Sequence, residues 1–252
     1  MQIVISAERG HSMQKITAVR GLNRNQLKYI AAAAMAADHI GAFLLPHAGA
    51  VYFLCRLIGR LTAPIMCYCL AEGFYYTSSR KNYALRLLVF AVLSQAPYAF
   101  LHGGFLASNL NVLFTLLAAL CTLAVYESTI QAPVKWALIA VLLLFSLWGD
   151  WGVTAPLWVL LFYLFRGNFP RQMAAFALIA GVEVVRTVLS DMIHGTLWYG
   201  QLWQLGMFLF LPLVLCYNGR RGRSGSFGKW FFYVFYPLHL AVIGLIRWYA
   251  PI

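Results

Sequence analysis

Asp38 and His39 stand side by side near the centre of an apolar stretch, Lys28 to Leu45, that reads KYIAAAAMAADHIGAFLL. An ionisable pair inside such a segment costs several kcal/mol unless it faces a protein interior or a water-filled cavity, so the pair is a candidate functional site. Lys28 precedes His39 by eleven residues, about three helical turns or roughly 16 Å along one helix face. Arg56 and Arg60, in the next apolar stretch, are spaced i, i+4 and share a face. A histidine of this kind can take a proton from an amine or hydroxyl, with Asp38 or another carboxylate orienting it or holding its charge. The arginines would stabilise an oxyanion or grip an anionic group. There is no Gly-x-Ser-x-Gly elbow, no His-Glu-x-x-His spacing and no serine or cysteine obviously beside a base. Direct transfer assisted by a base therefore fits better than covalent catalysis, and no metal site is expected. Lys28, Arg80, Lys81, Arg86 and the 220–229 segment would form a basic rim for a phosphate-bearing donor such as acyl-CoA.

The elements that must hold these groups are membrane helices. The chain of 252 residues is 62% hydrophobic and only 10% charged, with a mean hydropathy of +0.73. Those values, and repeated apolar stretches of spanning length, predict an all-α, polytopic integral membrane bundle. Nine spans are expected, at about 27–45, 52–77, 84–101, 110–126, 134–148, 152–166, 172–190, 201–217 and 230–250. Lys and Arg fall in the tail before the first span and after spans two, four, six and eight. The intervening connections, 46–51, 102–109, 149–151 and 191–200, contain neither. This alternation predicts a cytoplasmic N-terminus and an extracytoplasmic C-terminus. The formal charge of +12 is thus spread as topology signals, which argues against nucleic-acid binding.

Residues 1–25 read as a retained basic tail (Arg9, Lys15, Arg20, Arg24), with Met13 an alternative start, and 26–252 as a single transmembrane domain. The five cysteines fall in apolar segments with no paired spacing, so they read as small buried side chains rather than a disulfide or zinc framework. The glycine- and serine-containing Tyr217–Lys229 segment is a topology anchor or a phosphate-binding patch. Gly59 and Pro64 are positioned to interrupt span two.

Counting residues inward from the span ends places further polar groups at a shared depth with His39 and Arg60. Gln95 and His239 lie near mid-membrane, with Asn109, Asn111 and Asp150 towards the outer face. These form the expected substrate pocket, each with a structural alternative. Gln95 would bridge helices, while Asn109, Asn111 and Asp150 would cap helix starts. His239 would hydrogen-bond to a neighbouring helix. Glu183 and Arg186, at i, i+3, would neutralise each other, and Glu72 would pair with Arg80 or Lys81. Arg247, at the outer end of the last helix, would snorkel.

The run from Lys28 to Gly41, together with GRLTAP (Gly59–Pro64), AEGF, SQAP, NLNVLFT (Asn109–Thr115) and FYPLHLAVIGL (Phe235–Leu245), resembles the TraX family over about residues 25–250. Members of that family are linked to conjugation, and its type member is a membrane protein required for N-terminal acetylation of pilin. Lys28 and His39 also resemble the first-helix signature of membrane acyltransferase-3 proteins, which implies that His39 holds the catalytic position and Lys28 the basic one. SQAP and AEGF suit a broader TraX-like group than the pilin-acetylating type member. The resemblance implies an acyltransferase of the plasma (inner) membrane that moves acetyl from acetyl-CoA to an amine or hydroxyl. Its acceptor would be a pilin-like or other protein, or a glycan. A transporter or flippase using the same buried charges, and a non-catalytic assembly factor, are the alternatives.

Overall fold

A computed structural model describes residues 21–105, 109–197, 199–222 and 226–250, with 226–229 described as backbone only. The tail residues Arg9, Lys15 and Arg20, and Arg223 and Lys229 of the basic segment, lie outside the residues or side chains described. The described chain is all-helical: α1 (Arg24–Leu44), α2 (Ala50–Gly59), α3 (Thr62–Tyr76), α4 (Arg80–Leu101), α5 (Val112–Tyr126), α6 (Ala132–Ser146), α7 (Thr154–Leu164), α8 (Phe169–Ile193), a 3-10 stretch (Leu202–Leu209) leading into α9 (Phe210–Leu215), and α10 (Ser226–Tyr249).

Among the described residues, five segments are long and apolar enough to cross a membrane: α1, the α2–α3 pair taken together, α4, α8 and Trp230–Tyr249 of α10. Four more, α5, α6, α7 and Leu202–Leu215, are apolar but only 10–17 residues long. A helix of 15 residues spans about 22 Å, short of a hydrocarbon core of roughly 30 Å. Of the nine expected spans, five are long enough to cross by length and composition, while the other four correspond to apolar helices shorter than a crossing.

Connections at the two ends gather into two groups. At one end Leu22 bridges to Tyr217, Glu72 pairs with Arg166 and Arg80 with Glu127. At the other, Leu110 bridges to Gly149 and Arg247 reaches the Leu101 carbonyl.

α1 is the hub, packed against α2, α3 and α10. Asn23 starts it with a capping box closed by Gln26. Its alanine run, Ala31–Ala34, Ala36 and Ala37, is strongly helix-forming and lets neighbouring backbones approach closely. From α1 the wall continues through α10 to α4, α5, α7 and α3. Span two breaks where the sequence predicts: α2 ends at Gly59, Arg60 and Leu61 form a turn, and α3 begins at Thr62. Gly59 is required at this contact, because a Cβ there would lie 2.3 Å from the Cβ of Asp38.

Candidate functional site

Within this ring of helices lies a cavity of about 960 Å³. Arg24, Lys28, Arg86 and Arg221 line one part of its wall, and Asp38, His39, Arg56, Arg60, His102 and Asp150 another. Lys28 and His39, aligned on one face of α1 by their spacing, therefore open into the same space.

Asp38 does not orient His39. Its two carboxylate oxygens are taken by the arginines, Oδ1 by Arg56 Nη1 at 2.8 Å and Oδ2 by Arg60 Nη2 at 2.7 Å. The physical reason is helical phase: adjacent residues point about 100° apart, so Asp38 meets α2 while its neighbour turns away. Both guanidiniums lie over Trp203, at 4.2 and 4.8 Å from the ring centroid, and Arg60 also lies over Trp151 at 5.1 Å. The trio carries a net single positive charge, and the Nε–H groups of Arg56 and Arg60 are buried without a hydrogen-bond partner among the described residues. Trp203 was not legible as a site residue; it comes from the 3-10 stretch, whose backbone reaches α2 through Gly206.

The partner of His39 is another histidine. His39 Nδ1 lies 2.9 Å from the Met35 carbonyl and 3.3 Å from His239 Nε2, while His239 Nδ1 lies 2.9 Å from the Phe235 carbonyl. One tautomer pair satisfies all three contacts: each Nδ1–H donates to the carbonyl one turn back, and His239 Nε2 accepts from the shared His39 proton. That assignment leaves His39 Nε2 with its lone pair, as a general base requires. His239 thus acts on His39 rather than on the cavity, whose wall it does not join. His102, which sequence reasoning missed, does line the cavity. It follows the last residue of α4, with Nδ1 at 2.8 Å from the Tyr98 carbonyl, and it meets Phe43, which stacks on His39.

Several expected pocket residues are structural. Gln95 Nε2 donates to the Asn109 carbonyl at 2.9 Å, and its Oε1 accepts from the Asn111 backbone and side chain at 3.0 and 2.8 Å. Asn111 also caps α5 and donates to the Ala91 carbonyl. This clip fastens α5 to α4, and none of the three residues lines the cavity. Asp150 is the reverse case: it caps no helix, since α7 has Val153 at its cap position, and it lines the cavity instead.

The basic rim also differs from expectation. Arg80 pairs with Glu127 at 3.8 Å and Lys81 is exposed; neither lines the cavity, whereas Lys28 and Arg86 do. Arg24 and Arg221 complete the set. The reason is again phase, since Arg80 and Lys81 start α4 on faces turned from the opening, and Arg86 lies one and a half turns further along. Glu72 pairs with Arg166 at 3.2 Å rather than with Arg80 or Lys81. Arg247 bonds the Leu101 carbonyl at 2.8 Å instead of snorkelling freely. Glu183 and Arg186 do pair with each other.

The family description "TraX protein" matches residues 23–247. A probable fimbrial assembly protein, FimC of serogroup H1 from Dichelobacter nodosus, is 31% identical over 234 residues, covering 86% of this chain and 93% of that protein. No solved structure matches.

Proposed function

The chain belongs to the TraX family, and from that premise we propose that it is an integral membrane acyltransferase that moves an acetyl group from acetyl-CoA to an amine or hydroxyl. The observation that carries the reading is the single cavity that joins a four-cation rim to the imidazole of His39. In this reading the protein crosses the inner membrane nine times, the four short helices completing the crossings of the five long ones. Arg24, Lys28, Arg86 and Arg221 receive the donor phosphates at the cytoplasmic side, and the pantetheine arm extends inward along α1.

The transfer then needs few groups. As the acceptor nitrogen or oxygen bonds to the acetyl carbon, His39 Nε2 removes its proton. The carbon–sulfur bond breaks, and the proton passes from His39 to the leaving sulfur. His239 and the Met35 carbonyl hold the imidazole in the tautomer this requires. Arg56 and Arg60, less the charge of Asp38, place a net positive charge beside the oxyanion that forms. A relative whose name is that of a fimbrial assembly protein supports a pilin-like acceptor.

The test is release of CoA thiol from acetyl-CoA by purified protein supplied with envelope proteins from the parent cell. His39→Gln is expected to insert and fold as the parent does and to lose transfer by about 10²- to 10⁴-fold, the usual contribution of a general base. Undiminished transfer in that variant would remove His39 from the mechanism. Substrate uptake into liposomes without thiol release would favour a transporter.

A further inference from the structure

A second, smaller pocket of about 320 Å³ opens beside the mouth of the main cavity and shares three wall residues with it, Tyr76, Tyr217 and Gly219. The transfer chemistry uses none of its other polar groups. Arg166 spans one side, donating Nε–H to Glu72 Oε1 at 3.2 Å and Nη2–H to the Tyr76 hydroxyl at 2.9 Å. Its guanidinium carbon sits 3.5 Å from the centroid of the Tyr75 ring. Among the described residues, Glu72 Oε2 and Arg166 Nη1 keep their hydrogen-bonding capacity. Tyr68 and Tyr217, edge to face at 5.7 Å, add aromatic surface to the same wall.

We propose that this side pocket binds the nucleotide end of the donor, taking an amine-bearing purine ring against Tyr76 and Tyr217 with its exocyclic amine donating to Glu72. The combination is specific in kind. Tyrosine faces stack on any base, a carboxylate oxygen accepts from an exocyclic NH₂ but repels a carbonyl in the same place, and Arg166, held by Glu72 and Tyr76, offers its Nη1 to a sugar phosphate. Position supports it too. The pocket is built from the end of α3, the 165–168 connection and the 216–219 segment, at the same end as Arg24 and Arg221 of the rim. A donor whose phosphates rest on that rim therefore has its base within reach of the pocket while its arm points to His39. The inference rests on the acetyl-CoA reading.

The experiment compares three ligands by calorimetry on the detergent-purified full chain: acetyl-CoA, its analogue with hypoxanthine in place of adenine, and acetyl-phosphopantetheine. The parent protein is expected to bind acetyl-CoA about tenfold more tightly than either of the others. Glu72→Gln, whose amide can still accept from Arg166 and can also donate to a carbonyl, is expected to erase or reverse the preference for adenine over hypoxanthine. Its affinity for acetyl-phosphopantetheine should not change, an outcome that a merely structural role for Glu72 would not produce. Equal binding of all three ligands by the parent protein would overturn the side pocket while leaving the acyltransferase reading intact. A Glu72→Gln variant that loses affinity for all three equally would do the same. Failure of the folded parent protein to bind acetyl-CoA at all would overturn both.

Discussion

Asp38 and His39 are neighbours in sequence with different partners in space, and the helix makes them so. One places a carboxylate between two guanidiniums, while the other places an imidazole against a second histidine from α10. The carboxylate is about 15% exposed and the arginines 16% and 13%, so the charges are largely withdrawn from water and depend on one another. Asp38→Leu leaves two buried cations uncompensated and is expected to cost about 3–5 kcal/mol of stability. Replacing Asp38, Arg56 and Arg60 together with apolar residues of similar volume should recover most of that loss. Unfolding by denaturing detergent, followed for both variants, checks this. Equal losses in the single and triple variants would mean that packing, not charge, holds α1 to α2. His239 is a positioning residue by the same geometry. His239→Phe should lower the transfer rate about tenfold, a fraction of the general-base contribution. Acetyl-CoA affinity, read by calorimetry, should stay unchanged, because the ring touches His39 and not the cavity.

The elements differ in how closely they hold the site. α4 and α5 are fastened by the Gln95–Asn111 clip, whose own residues do not line the cavity, so this polar pair stabilises the frame. α2 and the 3-10 stretch approach very closely at Gly206, where an added Cβ would lie 1.9 Å from the Leu57 carbonyl oxygen. That oxygen belongs to backbone and cannot swing away. Gly206→Ala is therefore expected to push the 3-10 stretch off α2 and destabilise by about 1–3 kcal/mol, as overpacking does. Because Trp203 lies in the same stretch, the variant should also loosen its contact with Arg56 and Arg60. A lowered detergent-unfolding midpoint with reduced quenching of tryptophan fluorescence would show both effects, and an unchanged midpoint would mean that the stretch can shift without loss. Eight residues of 3-10 helix is long for that geometry. Here its three-residue repeat aligns Trp203 with Gly206, so that the ring and the close approach face α2 together.

At the scale of the whole molecule, the alternation of basic and uncharged connections matches the two ends of the bundle. Arg24, Arg80, Arg166 and Arg220 belong to connections that bond or pair at one end, while the connections that meet at Leu110 and Gly149 at the other contain no Lys or Arg. If the short helices complete full crossings, cysteines placed at Trp148 and His194 in a cysteine-free background will react with a membrane-impermeant maleimide added outside intact spheroplasts. A cysteine at Thr129 will react only after the membrane is permeabilised. Labelling of Thr129→Cys from outside would remove α5 from the crossings and shorten the bundle.

Hydropathy, charge alternation and the position of Asp-His in an alanine-rich helix are one-dimensional properties, so the sequence alone determined the helical class, the two ends and His39 as the residue to watch. The break in span two was also legible, because Gly59 and Pro64 are local signals. Pairing was not. Residues 200 apart, His39 and His239, and residues 18 and 22 apart, Asp38 with Arg56 and Arg60, meet only because helix phase and packing turn particular faces together. Depth can be counted along a chain, but the direction in which a side chain points around its helix is set by what the helix packs against. That is why Gln95 has the expected depth of the site without joining it, and why Trp203, His102 and Arg166 took their places only in the folded molecule.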